Sequence, residues 1–428
     1  MTLFADVRNA PAAQLSPPDA RTITDAYLYL LSRAFVVRQE QIDKAESGFA
    51  YNQVKYNPLG SATFVNPNFD VCYLEAWIAA DNDTAVLLDV PRIEGRYYTA
   101  QILDEWGEVI ANVNERTFPS KPYGQFVLVT ADSTFATPPG AGRIVLHSNK
   151  AKLLARVELK GEPDAALALQ KRFTVKALGN PIVAPPVAIA HFNNEQMAGV
   201  DLFDAADALI ASALDVSPHA AGQQQQARAV AAYVASSPAA RQVVADTLPG
   251  IVSEFITYAF TKCAPRRDHW TGGAPTGNYG ADYRLRASLN FGGLWANTWD
   301  EVIYFVATTD ETDMPLNGDN NYVIHFPTDR LPSTAVDGYW SVILVSAPDY
   351  HVVVNPLNRY NFNSYSPLQF EPDGSLKIAI GAEPVAGVPD SNRLPSPPGG
   401  AFSLTFRTYV PKDSVKSGTW SPPAVTKV

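Results

Sequence analysis

The sequence predicts a mainly β protein of the α+β class, with two β-sandwich or jelly-roll-like domains joined by a helical segment. Short β runs separated by turn formers fill residues 54–160 and again 301–410, a pattern typical of sandwiches rather than of βαβ units. Ala-rich patterns with helical spacing lie between these two regions. The 34 Pro, 19 Tyr and 20 Phe among 428 residues also favour short strands joined by ordered loops.

The chain divides into four parts. Residues 1–22 are rich in Pro and Ala, and we expect a mobile arm there. Residues 23–160 form the first β domain, which begins with a helix that Thr22, or Thr24 with Asp25, could cap. Residues 161–274 form an insert of three or four helices, and residues 275–428 form the second β-sandwich domain.

The overall charge and the cysteine count limit the possible partners. A net charge of −10 argues against nucleic acid, which needs a basic surface. No run approaches the roughly 18 apolar residues of a membrane span, and no signal-peptide pattern is present, so we expect a cytoplasmic protein without a membrane partner. Cys72 and Cys263 could form one disulfide bridge, but free thiols are favoured. A homo-oligomer is possible.

The strand RYYTAQILD separates two kinds of side chain. Tyr97, Thr99 and Gln101 share one face, whereas Asp104 is in line with core-facing positions. A buried Asp needs a partner, which Arg96, Arg116 or Arg156 could provide. Such a pair either fixes the structure or serves catalysis.

The strand AFSLTFRTYV has an apolar face and a polar face. Its polar face carries Arg407 and Tyr409 and could receive an anionic or phenolic ligand, because Arg offers a planar set of donors. The alternative is a solvated exterior of the sandwich. Upstream, Asn66, Asn68 and Asp70 alternate, so on an extended segment they could line a pocket or hold a hard cation such as Ca²⁺. Alternatively, they bond their own loop.

The stretch 336–362 contains the clearest pair of strands. Tyr339-Trp340-Ser341 is interpreted as a core strand, and Asn358-Arg359-Tyr360 follows the second β run, where binding groups are often displayed. The alternative for Arg359 is a turn clamp that bonds loop carbonyls. The run 95–103 is similar to 338–344, which indicates either a duplicated β module or the general likeness of strand-rich segments.

Two regions resemble known domain families. The run 66–106, with Asn68-Phe69-Asp70-Val71-Cys72-Tyr73 and Arg96-Tyr97-Tyr98, resembles DUF1254. The segments YWSVILV, NPLNRYNF, DGSLKIAI and FRTYVP, in this order, resemble DUF1214. Val71, Tyr339 and Arg393 depart from the Thr, Phe and Trp that these families tend to have, so a ligand site shaped by those residues would differ here. The resemblance covers most of 25–160 and 275–412 and implies two sandwich-like domains, but no reaction.

Our functional hypothesis is an enzyme that acts on a small apolar or aromatic metabolite by acid/base chemistry, of lyase, isomerase or hydrolase type, without a cofactor. The candidate catalytic residues are Asp70, Tyr97, Asp104 and Tyr360. The candidate substrate-binding residues are Asn68, Gln101, Trp340, Asn358, Arg359, Arg407 and Tyr409. A metal site from His325, His351 and an acid is a minor alternative. A non-catalytic β-sandwich scaffold for binding or assembly is the other class of function.

Overall fold

The protein is an α+β molecule with two β sandwiches and a group of packed helices. Its structure is a computed structural model that describes residues 16–59, 67–347 and 350–428. Each sandwich consists of two sheets with its own apolar core. The helices have a third core.

The first sandwich contains nine strands and the helix α2, and the helix α1 precedes it. Its larger sheet has the order β1-β2-β8-β4-β5 and its smaller sheet the order β7-β6-β3-β9. Alternating apolar residues from both sheets fill the space between them. The elements are α1 (Ala20–Ala45), β1 (Lys55–Tyr56), β2 (Val71–Ala79), β3 (Ala85–Val90), β4 (Tyr98–Leu103), β5 (Val109–Val113), β6 (Gly124–Val129), β7 (Gly142–Val145), β8 (Lys150–Glu158), α2 (Pro163–Gln170) and β9 (Thr174–Leu178).

The helical core is formed by elements that are distant in the sequence. The helix α1 packs on α4 and α6, and its apolar residues join those of α3 and α5. These helices are α3 (Ala206–Ala211), α4 (Ala220–Ser236), α5 (Pro238–Thr261) and α6 (Tyr283–Gly292).

The second sandwich contains ten strands. Its larger sheet has the order β10-β11-β12-β18-β14-β15 and its smaller sheet the order β17-β16-β13-β19. The elements are β10 (Arg266–Arg267), β11 (Trp270–Gly272), β12 (Val302–Ala307), β13 (Tyr322–Phe326), β14 (Trp340–Ser346), β15 (Asn361–Asn363), β16 (Leu376–Ile380), β17 (Arg393–Leu394), β18 (Phe402–Tyr409), α7 (Asp413–Lys416) and β19 (Val425–Lys427).

The two sandwiches repeat one topology. The order β2-β8-β4-β5 corresponds to β12-β18-β14-β15, and the pairs β3–β6 and β13–β16 correspond as well. Even the parallel pairs β6–β7 and β16–β17 occupy matching positions. The likeness of residues 95–103 and 338–344 therefore reflects equivalent strands in a repeated module.

Three boundaries differ from the sequence analysis for physical reasons. The helix α1 is capped by Asp19, whose side chain accepts the amide of Thr22 at 2.7 Å, and neither Thr22 nor Thr24 is the cap. The strand β9 pairs with β3, so the first sandwich extends to Leu178. The strands β10 and β11 pair into the sheet of β12, so the second sandwich begins near Arg266.

The helix α5 has the length and apolar composition of a membrane span, and 22% of its most apolar window is buried. Length and composition of a single helix do not establish a membrane span.

Candidate functional site

The larger sheets of the two sandwiches face each other, and polar side chains fill the junction between them. Tyrosines form its centre: Tyr339 stacks on Tyr409 with ring centroids 4.2 Å apart, and Tyr97 lies 5.2 Å from Tyr409 and 6.0 Å from Tyr339. All three are at most 5% exposed. Strand alternation places these rings at the junction, while the neighbouring Tyr98 and Trp340 point into the two cores.

One side of the junction is closed by a buried carboxylate. Glu301, immediately before β12, is fully buried. Its Oε2 accepts the hydroxyl of Tyr97 at 3.0 Å, and its Oε1 accepts the amide of Asn114 at 3.0 Å. Arg116 donates to both oxygens, at 2.8 Å and 3.3 Å, and its guanidinium lies 4.8 Å from the Tyr97 ring centre. This second-sandwich carboxylate is thus held by residues of the first sandwich.

The other side of the junction is centred on Asp70, immediately before β2. Its Oδ1 accepts Nδ2 of Asn361 and of Asn363, each at 2.9 Å. Within the described part of the chain, its Oδ2 accepts no hydrogen bond of ordinary geometry, although the Ser341 hydroxyl is near enough to lower the pKa of Asp70. The hydroxyl of Tyr339 and Oε1 of Glu158 also lack a hydrogen bond of ordinary geometry. Buried polar atoms are almost always paired, so three orphaned atoms close together indicate a site for a ligand or for water.

These three residues line a cavity of about 150 Å³. Its other walls come from the chain after β8 and from the segment after β15, and its mouth lies near the exposed residues Lys160 and Pro163. Engineered cavities of this size hold a benzene ring, so a ligand head of about six non-hydrogen atoms fits. The remaining lining residues are Phe69, Leu159, Gly161, Asn363 and Tyr365.

Burial shifts the titration of the cavity groups. Burial raises the pKa of Asp70, and the charge of Arg407 opposes that rise only in part. Burial also raises the pKa of Tyr339 well above its ordinary value, so its phenol stays a donor at neutral pH. Glu158 accepts the backbone amide of Tyr97 on Oε2 at 2.8 Å, which fixes the direction of its second oxygen. At the rim, burial and then a hydrogen-bonding interaction with Glu158 and its charge raise the pKa of Tyr365.

The polar face of β18 is buried in this junction and is not a solvated exterior. Asn68 donates to the hydroxyl of Tyr409 at 2.5 Å, and Arg407 donates to the carbonyl of Pro67 at 3.1 Å. Gln101 accepts from Arg156 at 2.9 Å and donates to the carbonyl of Ala296 at 2.9 Å. These predicted binding residues belong to the junction, but they do not line the cavity.

Asp104 lies outside the junction, and the prediction that an arginine pairs with it is wrong. The chain turns at the end of β4, and Oδ1 of Asp104 accepts the amides of Trp106 and Glu108, each at 2.9 Å. Its Oδ2 bonds Nδ1 of His147 at 2.7 Å. Asp104 therefore closes the β4–β5 hairpin and is not part of the Asp70 site.

That hairpin is tied to the helices by buried ion pairs. Arg33 of α1 contacts Glu105 at 2.9 Å, and Arg286 of α6 contacts Asp215 at 2.9 Å and Glu108 at 3.4 Å. Burial raises the pKa of Glu105 and of Glu108 to about 7, although their arginine partners oppose the rise.

We expect the free energy of unfolding to fall as the pH rises from 4.5 through about 7. In this window the folded carboxyls of Glu105 and Glu108 keep protons that the unfolded chain has lost, so stability is lost with rising pH, by on the order of 1–3 kcal/mol per group. The hydrogen bond to Asp104 raises the pKa of His147, so titration of His147 also lowers the free energy of unfolding with rising pH, but at higher pH values. Burial would raise the pKa of Asp215, but its hydrogen bond to Arg286 lowers it. Asp215 therefore makes the free energy of unfolding increase with pH, but only below about pH 3.8.

Urea unfolding at several pH values, compared with the Glu105→Gln, Glu108→Gln double variant, measures this dependence. The variant should have the flatter profile. Equal slopes in both proteins, or stability that increases from about pH 5 to about pH 8, would contradict the assignment.

The remaining predicted residues are placed away from the cavity. Trp340 stacks on Phe406 at 5.6 Å inside the second sandwich, so its assignment to substrate binding is wrong; alternation sends Tyr339 to the junction instead. Arg359 donates to the carbonyls of Asp390 and Arg393 at 2.6 Å and 2.9 Å, which makes it a turn clamp. Asn358 accepts the hydroxyl of Tyr360 at 3.3 Å.

Tyr360 keeps an indirect connection to the cavity. Its ring stacks on Phe69, a lining residue, with centroids 5.7 Å apart. This contact places Tyr360 behind the cavity wall.

The suggested metal sites gain no structural support. Across residues 16–59, 67–347 and 350–428, no three His, Cys, Asp or Glu side chains are placed to hold a metal ion. Asn66, one member of the proposed Ca²⁺ face, lies outside the described residues. Cys72 and Cys263 are free thiols, and Cys72 is buried.

Sequence reasoning missed Glu158, Glu301 and Tyr339 as members of the junction. Glu158 lies on the face of β8 opposite the apolar residues of that strand, which was a usable signal. The side chains that Glu158 faces come from the other sandwich, so the strand pattern could not identify them. The strand repeat could have identified Tyr339, because Tyr97 occupies the equivalent position before β4.

The fold and the junction define a protein of two repeated β sandwiches with a buried polar cluster between them. Two models of domains of unknown function match the chain: DUF1254 over residues 49–177 and DUF1214 over residues 301–413. The chain belongs to the family in which a DUF1254 domain precedes a DUF1214 domain.

A solved structure shows the same fold. The VPA0106 protein from Vibrio parahaemolyticus aligns with a TM-score of 0.68 at 20% identity, over 96% of this chain and 99% of that one. An uncharacterized protein from Burkholderia cenocepacia aligns with a TM-score of 0.45 at 13% identity, over 96% of this chain and 90% of that one. No curated protein matches the sequence.

Proposed function

We propose that the protein is an enzyme that acts on a small organic molecule by proton transfer in the Asp70–Glu158 cavity. One observation carries the proposal. Two buried carboxyls from one sheet and a buried phenol from the facing sheet line one cavity, and over the described residues each has an oxygen without a hydrogen bond of ordinary geometry. Orphaned groups of this kind are costly to folding, and active sites are where proteins keep them.

The three groups suit different steps of proton transfer. Glu158, whose orientation is fixed by the Tyr97 amide, would accept a proton from the substrate. Tyr339, whose pKa burial raises, would donate a proton to it, and Asp70 would hold the substrate in place. The aromatic side chains of Phe69 and Tyr365 would hold an apolar or aromatic body. A lyase, isomerase or hydrolase step is compatible with this set of groups.

The test is hydrogen–deuterium exchange in D₂O, followed by NMR, on pooled small metabolites incubated with the protein. Exchange reports proton transfer even where no net turnover accumulates. We expect Glu158→Gln to slow the exchange by about 10²–10⁴-fold. The matched control is Glu162→Gln, because this exposed residue lies four positions further along the chain and outside the cavity. Absence of exchange by the wild-type protein, or equal exchange by Glu158→Gln, would contradict the proposal.

A cytoplasmic location and a homo-oligomeric state remain part of the proposal. A purely structural scaffold is the second candidate, and the exposed apolar side chains of Ile182 and Val354, both more than 80% exposed, are compatible with it. Light scattering after size exclusion measures the oligomeric state directly.

A further inference from the structure

The junction contains two pockets at equivalent positions of the repeated fold. The Asp70 cavity lies before β2 and β4, and a larger groove of about 720 Å³ lies before β12 and β14. The carbonyl of Asp70 accepts the amide of Leu159 at 2.8 Å, and that of Glu301 accepts the amide of Val410 at 2.9 Å. Asp70 and Glu301 therefore occupy the same place in the two halves.

The strand register extends this equivalence to the side chains around each acid. In the first sandwich Tyr73 and Thr99 both pair with Arg156. In the second, Tyr304 and Ser341 both pair with Arg407. The residues that follow each Arg by two positions, Glu158 and Tyr409, are therefore equivalent as well.

The same correspondence pairs Arg116 with Tyr365. Asn114 and Asn363 each donate to the acid of the opposite sandwich, at 3.0 Å and 2.9 Å. Each also accepts, on its Oδ1, the amide of the residue two positions later, at 2.9 Å in both cases. Those residues are Arg116 and Tyr365, which lie in matching Asx turns.

The two halves differ in the groups that bind their buried carboxylate, Glu301 in one half and Asp70 in the other. Glu301 is neutralised by the guanidinium of Arg116, which lines the larger groove. At the equivalent place the chain has Tyr365, and Oδ2 of Asp70 accepts no hydrogen bond of ordinary geometry from the residues that the structure describes. In addition, Glu158 stands where the other half has the neutral Tyr409. The Asp70 half thus has one more carboxyl and one guanidinium fewer.

The cationic side chains near the cavity have other partners. Arg96 donates to the carbonyls of Glu158 and Leu159 at 2.7 Å and 2.6 Å and bonds Glu162. Lys160 donates to the carbonyl of Gly95 at 2.5 Å. Arg407, whose charge lowers the pKa of Asp70, donates to the carbonyl of Pro67. Their charge moderates the field in the cavity without filling the position that Arg116 fills in the other half.

We infer that the cavity binds a small planar cation, a guanidinium or amidinium group, which supplies to Asp70 what Arg116 supplies to Glu301. A guanidinium is planar and offers paired donors to a carboxylate. Its size suits a cavity of about 150 Å³. The inference rests on the proposed function and names its substrate class. Asp70 then anchors the cation, and Glu158 is left to accept a proton.

The test is isothermal titration of the full-length protein with N-methylguanidinium chloride and with urea, at millimolar concentration. Urea has the planar shape and N–H donors of guanidinium but no charge, so it isolates the contribution of charge. We expect saturable binding of N-methylguanidinium that is at least about tenfold tighter than any binding of urea, as one charge-assisted pair requires.

Two variants locate the binding. Tyr365→Arg should place a guanidinium beside Asp70, abolish titration by N-methylguanidinium, and raise the melting temperature. Pro163→Trp should block the mouth, and its matched control is Pro238→Trp, because both prolines are exposed at the first turn of a helix. Binding that survives Pro163→Trp and Tyr365→Arg would overturn the inference.

The outcomes separate the inference from the proposed function. If N-methylguanidinium does not bind while wild-type protein still exchanges protons of a neutral metabolite and Glu158→Gln does not, the cation inference fails and the enzyme proposal stands. If N-methylguanidinium binds but no exchange depends on Glu158, the site is a cation-binding site without proton transfer, and the enzyme proposal fails.

Discussion

Glu301→Ala should lower the free energy of unfolding by about 3 kcal/mol, because it leaves three donors of the first sandwich without their acceptor. Glu301 is fully buried and binds Tyr97, Asn114 and Arg116. We expect the lower end of the usual range for a broken buried pair, since Arg116 is 25% exposed and can gain water. Urea unfolding of both proteins measures the difference.

The neighbouring Asp300 is the matched control for this substitution. Its side chain is 54% exposed and its ion pair with Lys416 is solvated. Exposed pairs contribute little, so Asp300→Ala should change the free energy of unfolding by less than about 1 kcal/mol. Similar losses for the two variants would show that Glu301 does not hold the sandwiches together.

Arg286→Ala should be at least as destabilising, at about 3–5 kcal/mol, because it leaves two buried acids without their cation. Its guanidinium contacts Asp215 and Glu108 and lies 4.8 Å from the Trp106 ring centre. The loss therefore includes ring packing as well as charge. Thermal or urea unfolding at about pH 7 measures it.

Arg284, two residues earlier on α6, is the matched control for Arg286. It is 42% exposed and pairs with Asp25. We expect a change below about 1 kcal/mol for Arg284→Ala. An equal effect at the two positions would mean that the helix, and not the buried ion pair, determines the loss.

The sequence predicted the architecture well because both sandwiches are encoded locally. Alternation in β18 separates Phe402 and Leu404 from Arg407 and Tyr409, and the structure buries these sets on opposite faces. The family motifs and the two β regions gave the fold class, which the structure and the domain matches confirm.

The site was only partly predictable because it is assembled from both sandwiches. Asp70 and Tyr97 were correctly placed on polar faces, yet Tyr97 faces Glu301, which lies 204 residues away in the sequence. The predictions for Asp104 and Trp340 were wrong for a local reason. An acid at the end of a strand can bond its own hairpin, and a tryptophan in a strand can face the core of its own sandwich. No alternation pattern shows which of two faces meets another domain.

The most direct test of the account is a crystal structure of the protein soaked with N-methylguanidinium, together with a soak of the Tyr365→Arg variant. We expect density for the cation in the wild-type cavity, within hydrogen-bonding distance of Oδ2 of Asp70. In the variant, the new arginine should occupy that place. An empty or water-filled cavity in the wild-type soak, with the cation bound elsewhere or not at all, would contradict the claim that Asp70 anchors a planar cation.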